Sequence, residues 1–425
     1  MKNCSKPTWI RSVVKEFESI CTQLHEKLQE SESTRLLADA EKVVIERMQH
    51  MTRQMQQLAI QCQIDKRTSE QSYRVCQKCG RRMRHRGVKS RQFITKAGAI
   101  NLSGIYLHCR CGMTKPVRQL VSGHSAMTPQ ASELIARYAG SMPYRTSAKY
   151  LKKDFGICIS HETIKQITLS AGQDIGRIRN ANLGIEGWRQ IEGQKLYGYA
   201  DGVMINILTE GWKECKLLRY EPQEGPNVRF RAVLGHIDRF GKTARREAKH
   251  LKAGKAEEIV FLMDGAEGFH NHIQKNLPMA RQIVDYWHAC QHIAECAEAL
   301  YPKQPVKRQK WRSKYCHMLR QQGPQKLLAS LNRSKRYRDE EQVRALVKLI
   351  GFIKPRIDRM DYPTLIQQQY RVDSGPIESA CRNVVQARMK MAGMRWSRNG
   401  AVAMLEVRTA LMSDLWEQTM KQMTA

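Results

Sequence analysis

The sequence predicts a multidomain α+β protein: an α/β core carrying a helical insertion, preceded by helical, cysteine-bearing and helix-turn-helix modules. Three observations predict it. At 425 residues the chain exceeds one ordinary domain, and roughly two to four are expected from that length. Residues 193–288 alternate strand-like and helix-like runs, whereas 289–370 read as charged helix. Four cysteines cluster between 76 and 111 inside a glycine-punctuated, β-prone stretch.

Charge narrows the function classes first. Lysine and arginine total 72 against 40 acidic residues, a formal net charge of +32. Such an excess repels itself in a compact chain and calls for a polyanionic partner, with nucleic acid first and a ribosomal or membrane-surface role as rivals. No apolar run approaches the roughly 18 residues of a spanning helix, and MKNCSKPTWIRSVVKEF lacks the apolar centre of a secretory signal. Hydrophobic residues make up 41% of the chain, enough for real cores. Cys4, Cys21, Cys62, Cys158, Cys215, Cys290, Cys296, Cys316 and Cys381 are scattered singly, as in a reducing cytosol.

Residues 1–70 read as an N-terminal helical region. Val13, Phe17, Ile20, Leu24 and Leu28 keep helical spacing, Glu30–Thr34 breaks it, and Leu36, Ala40, Val43, Met51, Met55 and Leu58 resume it. A hairpin packed on the body and a contact surface for a second chain or DNA both fit. Residues 71–122 read as a zinc-ribbon-like module with β-prone pieces at 92–95 and 99–106. Cys76-Gln-Lys-Cys79-Gly and Cys109-Arg-Cys111-Gly make two corners that can point four thiolates at one structural zinc ion. The one-residue spacer of the second corner leaves His85 or His108 as substitute ligands, and two unrelated reduced pairs are the bland alternative. Arg81, Arg82 and Arg84 would then sit on a rigid platform suited to phosphate.

Residues 123–185 form a helix-turn-helix candidate. A helix over Thr146–Asp154 ends at Phe155-Gly156, and Ser160 caps a second helix with Ile164 and Ile167 turned inward. Lys149, Lys152 and Lys153 on the first helix and His161 and Lys165 on the second are the DNA-contact candidates. An ordinary helical hairpin gives the same pattern.

Residues 186–288 carry strand candidates at Leu196–Ala200, Glu214–Tyr220, Arg231–Ile237, Glu258–Met263 and Gln282–Val284, with helices at Arg245–Lys255 and Phe269–Asn276. Two apolar runs end in Asp-Gly, at Asp201-Gly202 and Asp264-Gly265. An aspartate at a strand end is held rigidly and opens on the sheet rim. Two on neighbouring strands offer hard oxygen ligands to a pair of Mg²⁺ or Mn²⁺ ions about 3.5–4 Å apart. Asp-Gly is also an ordinary turn dipeptide. After the helical insertion at 289–370, residues 371–425 return to the core: Ser374 and Pro376 open a helix with Glu378 in its first turn. Strand–Asp, two strands, helix, strand–Asp, strand, long helical insert and helix–Glu is an RNase H-like order, which makes Asp201, Asp264 and Glu378 the candidate catalytic metal ligands. Asp238, at the end of another strand candidate, lies off that rim. His288 and His292, four apart, are candidates to orient the site, to contact DNA or to bind zinc with Asp285. Trp396, between Arg395 and Arg398, either stacks on an unpaired base or packs under the last helix.

The set YADG at 199–202, MDGA at 263–266, DYWH at 285–288, SGPIES at 374–379 and GMRW at 393–396 resembles prokaryotic insertion-sequence transposases of the DDE class, close to the ISKra-type and mutator-like groups. The resemblance spans roughly residues 70–415. It implies an RNase H-like catalytic domain, a triad of Asp201, Asp264 and Glu378 with His288 beside it, and two Mg²⁺ (or Mn²⁺) ions per site. It also implies cleavage and joining of double-stranded DNA at terminal inverted repeats and target DNA, a homodimer or higher homo-oligomer, and a cytoplasmic, nucleoid-associated life. Two other functions stay open: an inactive transposase-derived DNA-binding regulator, and another RNase H-like DNA nuclease.

Overall fold

The computed structural model describes residues 8–30, 34–117, 126–335 and 338–424. Cys4, most of the expected helix break at Glu30–Thr34 and the expected module boundary at 122/123 lie outside the described residues. The chain divides into two compact units, Met1–Ala171 and Gly172–Ala425.

In the first unit, α1 (Thr8–Glu30) and α2 (Leu36–Ser69) form the helical hairpin that the apolar stripes predict. β1 (Arg84–Thr95), β2 (Gly98–His108) and β3 (Thr114–Lys115) make an antiparallel sheet. The hairpin and the sheet share a core. Ile60 and Ile64 of α2 pack against Phe93, Ile100, Leu102 and Val117. Gln57 accepts from the Asn101 amide at 3.0 Å, and Gln61 accepts from the Ser103 amide at 2.9 Å. A sheet this small buries too little on its own, so α2 supplies its missing apolar face. α3 (Pro129–Ser141), α4 (Tyr144–Phe155) and α5 (His161–Ala181) follow, with Leu134, Ile135, Leu151, Ile157 and Ile164 at their centre. The second half of α5 belongs to the second unit.

The second unit is built on a five-stranded sheet of β4 (Lys195–Ile207), β5 (Gly211–Pro222), β6 (Arg229–Leu234), β7 (Glu258–Met263) and β8 (Arg281–Val284). Its order is β6-β5-β4-β7-β8. β4, β5 and β6 are antiparallel neighbours, whereas β7 runs parallel to β4 and to β8. α6 (Ile237–His250) and α7 (Glu267–Asn276) cover one face through Phe240, Ala244, Phe269 and Ile273, set against Leu218, Tyr220 and Phe261. Between β8 and the return to the core lie α8 (Tyr286–Leu300), α9 (Pro305–Ser334), α10 (Glu340–Ile353) and α11 (Tyr362–Gln367). Pro305 opens α9, and Pro324 breaks it beside Gly323, whose φ is 83°. α12 (Gly375–Ala380) runs on through a π-helical stretch at Cys381–Gln386, and α13 (Arg398–Leu411) and α14 (Trp416–Thr424) end the chain.

Three boundaries differ from the sequence reading. β4 does not end at Asp201 but runs on to Ile207, because Val203, Ile205 and Ile207 alternate inward along the hairpin with β5. β6 stops at Leu234, and α6 begins at Ile237 rather than Arg245. Asp238 therefore sits in the first turn of α6, not at a strand end. Gly241 inside that helix is a close-approach residue, since a Cβ there would lie 2.4 Å from Asn276 Nδ2 and 3.0 Å from His272 O of α7.

Candidate active site and metal centre

The sheet register places the two aspartates. The parallel ladder between β4 and β7 pairs Leu196 with Ile259 and so on to Ala200 with Met263. The next residue on each strand is Asp201 and Asp264. β7 ends at Met263, while β4 continues in its hairpin with β5, so both carboxylates stand at the rim where the parallel ladder stops. Each is fixed locally. Asp201 Oδ1 accepts from the Gly202 amide at 2.7 Å, and Asp264 Oδ1 accepts from the Ala266 amide at 2.8 Å. Gly265 between them and α7 has φ of 89°, a conformation that favours glycine, and its carbonyl accepts from Arg356 Nε at 2.9 Å.

Glu378 arrives on α12, exposed and in the first turn. Several bonds hold that turn in place. The Arg219 guanidinium of β5 donates to Pro376 O at 2.9 Å, and the Tyr286 amide donates to Val372 O at 2.8 Å. Cys381, just past α12, donates its thiol to Asp201 Oδ2 at 3.3 Å, and α12 packs directly on β4 and β5. Burial pushes the Cys381 thiol up, and the negative charges of Asp201 and Glu378 push it the same way. Ser374 is the N-cap residue as expected, yet its side chain makes no capping bond. The cap is closed from elsewhere: Asp285 Oδ2 accepts from the Ser374 amide.

Asp285 is fully buried and joins three elements. It caps α8, its Oδ1 accepting from the His288 amide at 2.7 Å and from His288 Nδ1 at 3.0 Å. Burial alone would raise the Asp285 carboxyl, but the bonds from His288 and Ser374 outweigh it and hold it below its ordinary range. His288 is shifted upward, first by its bond to Asp285 and then by the charges of Asp285, Asp264 and Asp201, against the cost of burial. Asp201 is raised by burial foremost, and the negative charge of Asp264 adds to it. Two carboxylates that repel across a half-buried rim form a site that a cation would stabilise.

His292 points elsewhere: its ring stacks on Phe352 at 3.9 Å and its Nδ1 lies 3.5 Å from Glu295. Trp396 is buried, donates from Nε1 to Met389 O at 3.1 Å and lies under the Arg388 guanidinium. Its backbone extends the end of β4, through Trp396 N to Asn206 O at 3.0 Å. That is the packing role, and it leaves the indole no open face for a base. Arg395 beside it is exposed. Asp238 is exposed and is held by His236 at 2.8 Å and His272 at 2.7 Å.

In the first unit, the ligand atoms of Cys76, Cys79, Cys109 and Cys111 all lie within 4.8 Å of one another, a group that can hold one metal ion. Cys76 Sγ is 3.6 Å from Cys111 Sγ, and Cys79 Sγ is 3.5 Å from Cys109 Sγ. Four thiols at one point fit a soft tetrahedral ion such as zinc. Burial would raise the Cys76 thiol, but bonds from the Cys79 and Lys78 backbone and from Cys111 and Cys79 bring it to about 6. Those two amides favour the thiolate that a metal needs. Neither His85 nor His108 belongs to the group. Among the described residues this is the one such group of three or more His, Cys, Asp or Glu side chains.

The candidate DNA contacts are mostly on the surface. Arg81, Arg82, Arg84, Lys149, Lys152, Lys153 and His161 are exposed, and Lys165 is half-buried with Glu162 at 3.1 Å. Gly156, with φ of 65°, ends α4, and the Ser160 hydroxyl accepts from the Thr163 amide at 3.1 Å to start α5. Sequence reasoning missed Cys381 and Arg219. An isolated cysteine and one arginine among many give no signal until the fold sets them against Asp201 and Pro376.

Among the described residues no helix is long and apolar enough to cross a membrane. Comparison with protein families gives no match, and neither does comparison with curated protein sequences. Among solved structures, a Drosophila P element transposase strand transfer complex aligns with 73% of this chain and 84% of that chain, at a TM-score of 0.30 and 10% identity.

Proposed function

We propose that the chain is a DNA transposase with an RNase H-like catalytic domain, one that cleaves phosphodiester bonds at transposon ends and joins the freed 3′-hydroxyl to target DNA. The observation that carries this reading is the register: Asp201 and Asp264 occupy consecutive rim positions of neighbouring parallel strands, with the Glu378 helix bonded to the same rim through Cys381. Carboxylate oxygens are the donors that Mg²⁺ or Mn²⁺ prefers, and a set of three is the kind that holds a pair of such ions. When bound, such a pair activates the attacking oxygen and stabilises the leaving 3′-oxygen.

The chain's own residues do the rest. Asp285 bonds both the N-cap residue of α12 and the His288 ring, and so links the helix that carries Glu378 to His288. A protonated His288 offers its Nε2 proton to a phosphate oxygen at the rim. The cysteine group holds structural zinc, and the arginines after it and the lysines of α4 contact the backbone of double-stranded DNA. Joining at two ends calls for a homodimer or larger assembly, working in the cytoplasm on the nucleoid. The test uses the DNA flanking the reading frame. Purified protein with Mg²⁺ should nick at the inverted repeats and join them to a second duplex. A nuclease would cut without joining, and a regulator would bind without cutting.

A further inference from the structure

A cavity of about 460 Å³ lies beyond the edge strand β6, closed by the second half of α5, by α6 and by α13. Its wall carries Arg231, Arg239, Thr243, Arg246, Asn180 and Glu406. The charges beneath it are almost balanced. Arg179, Arg229 and Arg231 are buried, and they pair with Glu247, Glu406 and Asp414 at 3.0–3.3 Å. Three cations meet three carboxylates, which is how buried charge is normally kept.

Arg239 and Arg246 are left over. Among the described residues neither guanidinium makes a hydrogen bond or an ion pair, and Arg246 Nε is shut off from solvent without a partner. Burial foremost disfavours the Arg246 charge and Arg231 and Arg239 repel it, and the attraction of Glu247 and Glu406 does not make up the loss. Two neighbouring arginines on the wall of a polar cavity, neither of them in an ion pair, leave guanidinium donors open to an anion. Guanidinium forks match phosphate oxygens bidentately, and the Thr243 hydroxyl and Asn180 amide add uncharged groups. The volume falls within the range of small-ligand pockets and accommodates a phosphoryl group with more attached.

We infer that this cavity is a phosphoryl-binding site in which Arg239 and Arg246 hold the phosphate oxygens. The phosphate comes either from a nucleotide-sized free ligand or from a DNA backbone. This inference does not depend on the proposed rim chemistry.

The experiment measures thermal unfolding of the full chain with pyrophosphate or ATP, and separately the affinity for a duplex of about 25 base pairs. Arg239→Gln, Arg246→Gln and the surface control Lys275→Gln are compared with the parent. Without ligand, Arg246→Gln should unfold at the same or a higher temperature, since the charge it loses makes no ion pair and is disfavoured on balance; that keeps a loss of binding distinct from a loss of folding. Pyrophosphate or ATP should raise the parent's Tm, with the rise mostly lost in both arginine variants and kept in Lys275→Gln. If the small ligands do nothing but both arginine variants bind duplex at least fivefold more weakly than the control, the phosphate is the DNA's. No response to any ligand, or equal losses in all three variants, overturns the inference.

Discussion

Replacing Asp285 with asparagine removes one charge and about one proton's worth of shape, yet it should cost much more than a surface change. Three donors converge on this carboxylate: the His288 amide, His288 Nδ1 and the Ser374 amide. Asparagine can accept on one side only. With its oxygen toward the α8 cap, its NH₂ faces the Ser374 amide, and two buried donors oppose each other. The loss of one charge-assisted bond and the stranding of a buried amide together cost about 3 kcal/mol. For a unit of this size that lowers Tm by roughly 6–12 °C. The effect should depend on pH in a fixed sense. His288 is raised above its ordinary value, so the stability it draws from Asp285 is fully present below about pH 6.5 and is lost as pH rises through its folded value. Asp285 is lowered, so its share persists until pH falls below about 3.8, its ordinary value. The gap between parent and Asp285→Asn should therefore be wider at about pH 5.5 than at about pH 8.5. Urea unfolding in magnesium-free buffer at both values reads the gap, and the imidazole NMR titration of His288 should move down in the variant. An equal gap at the two pH values, or a His288 that titrates no higher in the parent, would refute the ion-pair reasoning.

Other perturbations test the remaining pieces. Metal analysis should find about one zinc per chain, with Cys79→Ser losing it along with the fold of the β1–β2 module; unchanged zinc content would put the metal elsewhere. Binding to end DNA should weaken steeply with salt, at about −0.9 in log K per log salt for each phosphate contacted, and a flat response would contradict the nucleic-acid reading. A Cβ on Gly172 would lie 2.2 Å from the backbone oxygen of Ala403, so Gly172→Ala should destabilise by about 1–3 kcal/mol. Gly254→Ala meets nothing within 4 Å and should be near neutral by the same urea titration.

Much of the site was legible because its elements are local. An apolar run closing on Asp-Gly, twice, marks two strands that reach one rim, and Ser-Gly-Pro ahead of Glu378 marks a helix start. The cysteine corners were legible for the same reason: a short spacer and a glycine let two thiols turn to one point, and the structure gathers all four. What failed was the use of Asp-Gly as a stop. Val203, Ile205 and Ile207 carry the period of a strand beyond Asp201, and the hairpin with β5 satisfies that stretch without β7. The glycine and arginines of GKTARR hid the start of α6, although Phe240, Ala244 and Ala248 already have helical spacing. Trp396 could not be settled from sequence, since Met389 O and the end of β4 become its partners only after folding. The bonds from Cys381 to Asp201 and from Arg219 to Pro376 span 180 and 157 residues and leave no mark on local pattern.

The central claim is that Asp201, Asp264 and Glu378 share one metal-dependent site. The direct measurement is Mg²⁺-dependent nicking of end DNA by the parent and by Asp201→Asn, Asp264→Asn, Glu378→Gln and Asp238→Asn, with DNA affinity measured alongside. Catalysis needs every metal ligand, whereas binding draws on many lysines and arginines. Each of the first three variants should lose cleavage while binding DNA within a fewfold of the parent. Asp238→Asn should still cut, because Asp238 is an exposed residue of the first turn of α6, paired with His236 and His272. Full cleavage by any of the three rim variants, or a loss confined to Asp238→Asn, would contradict the account.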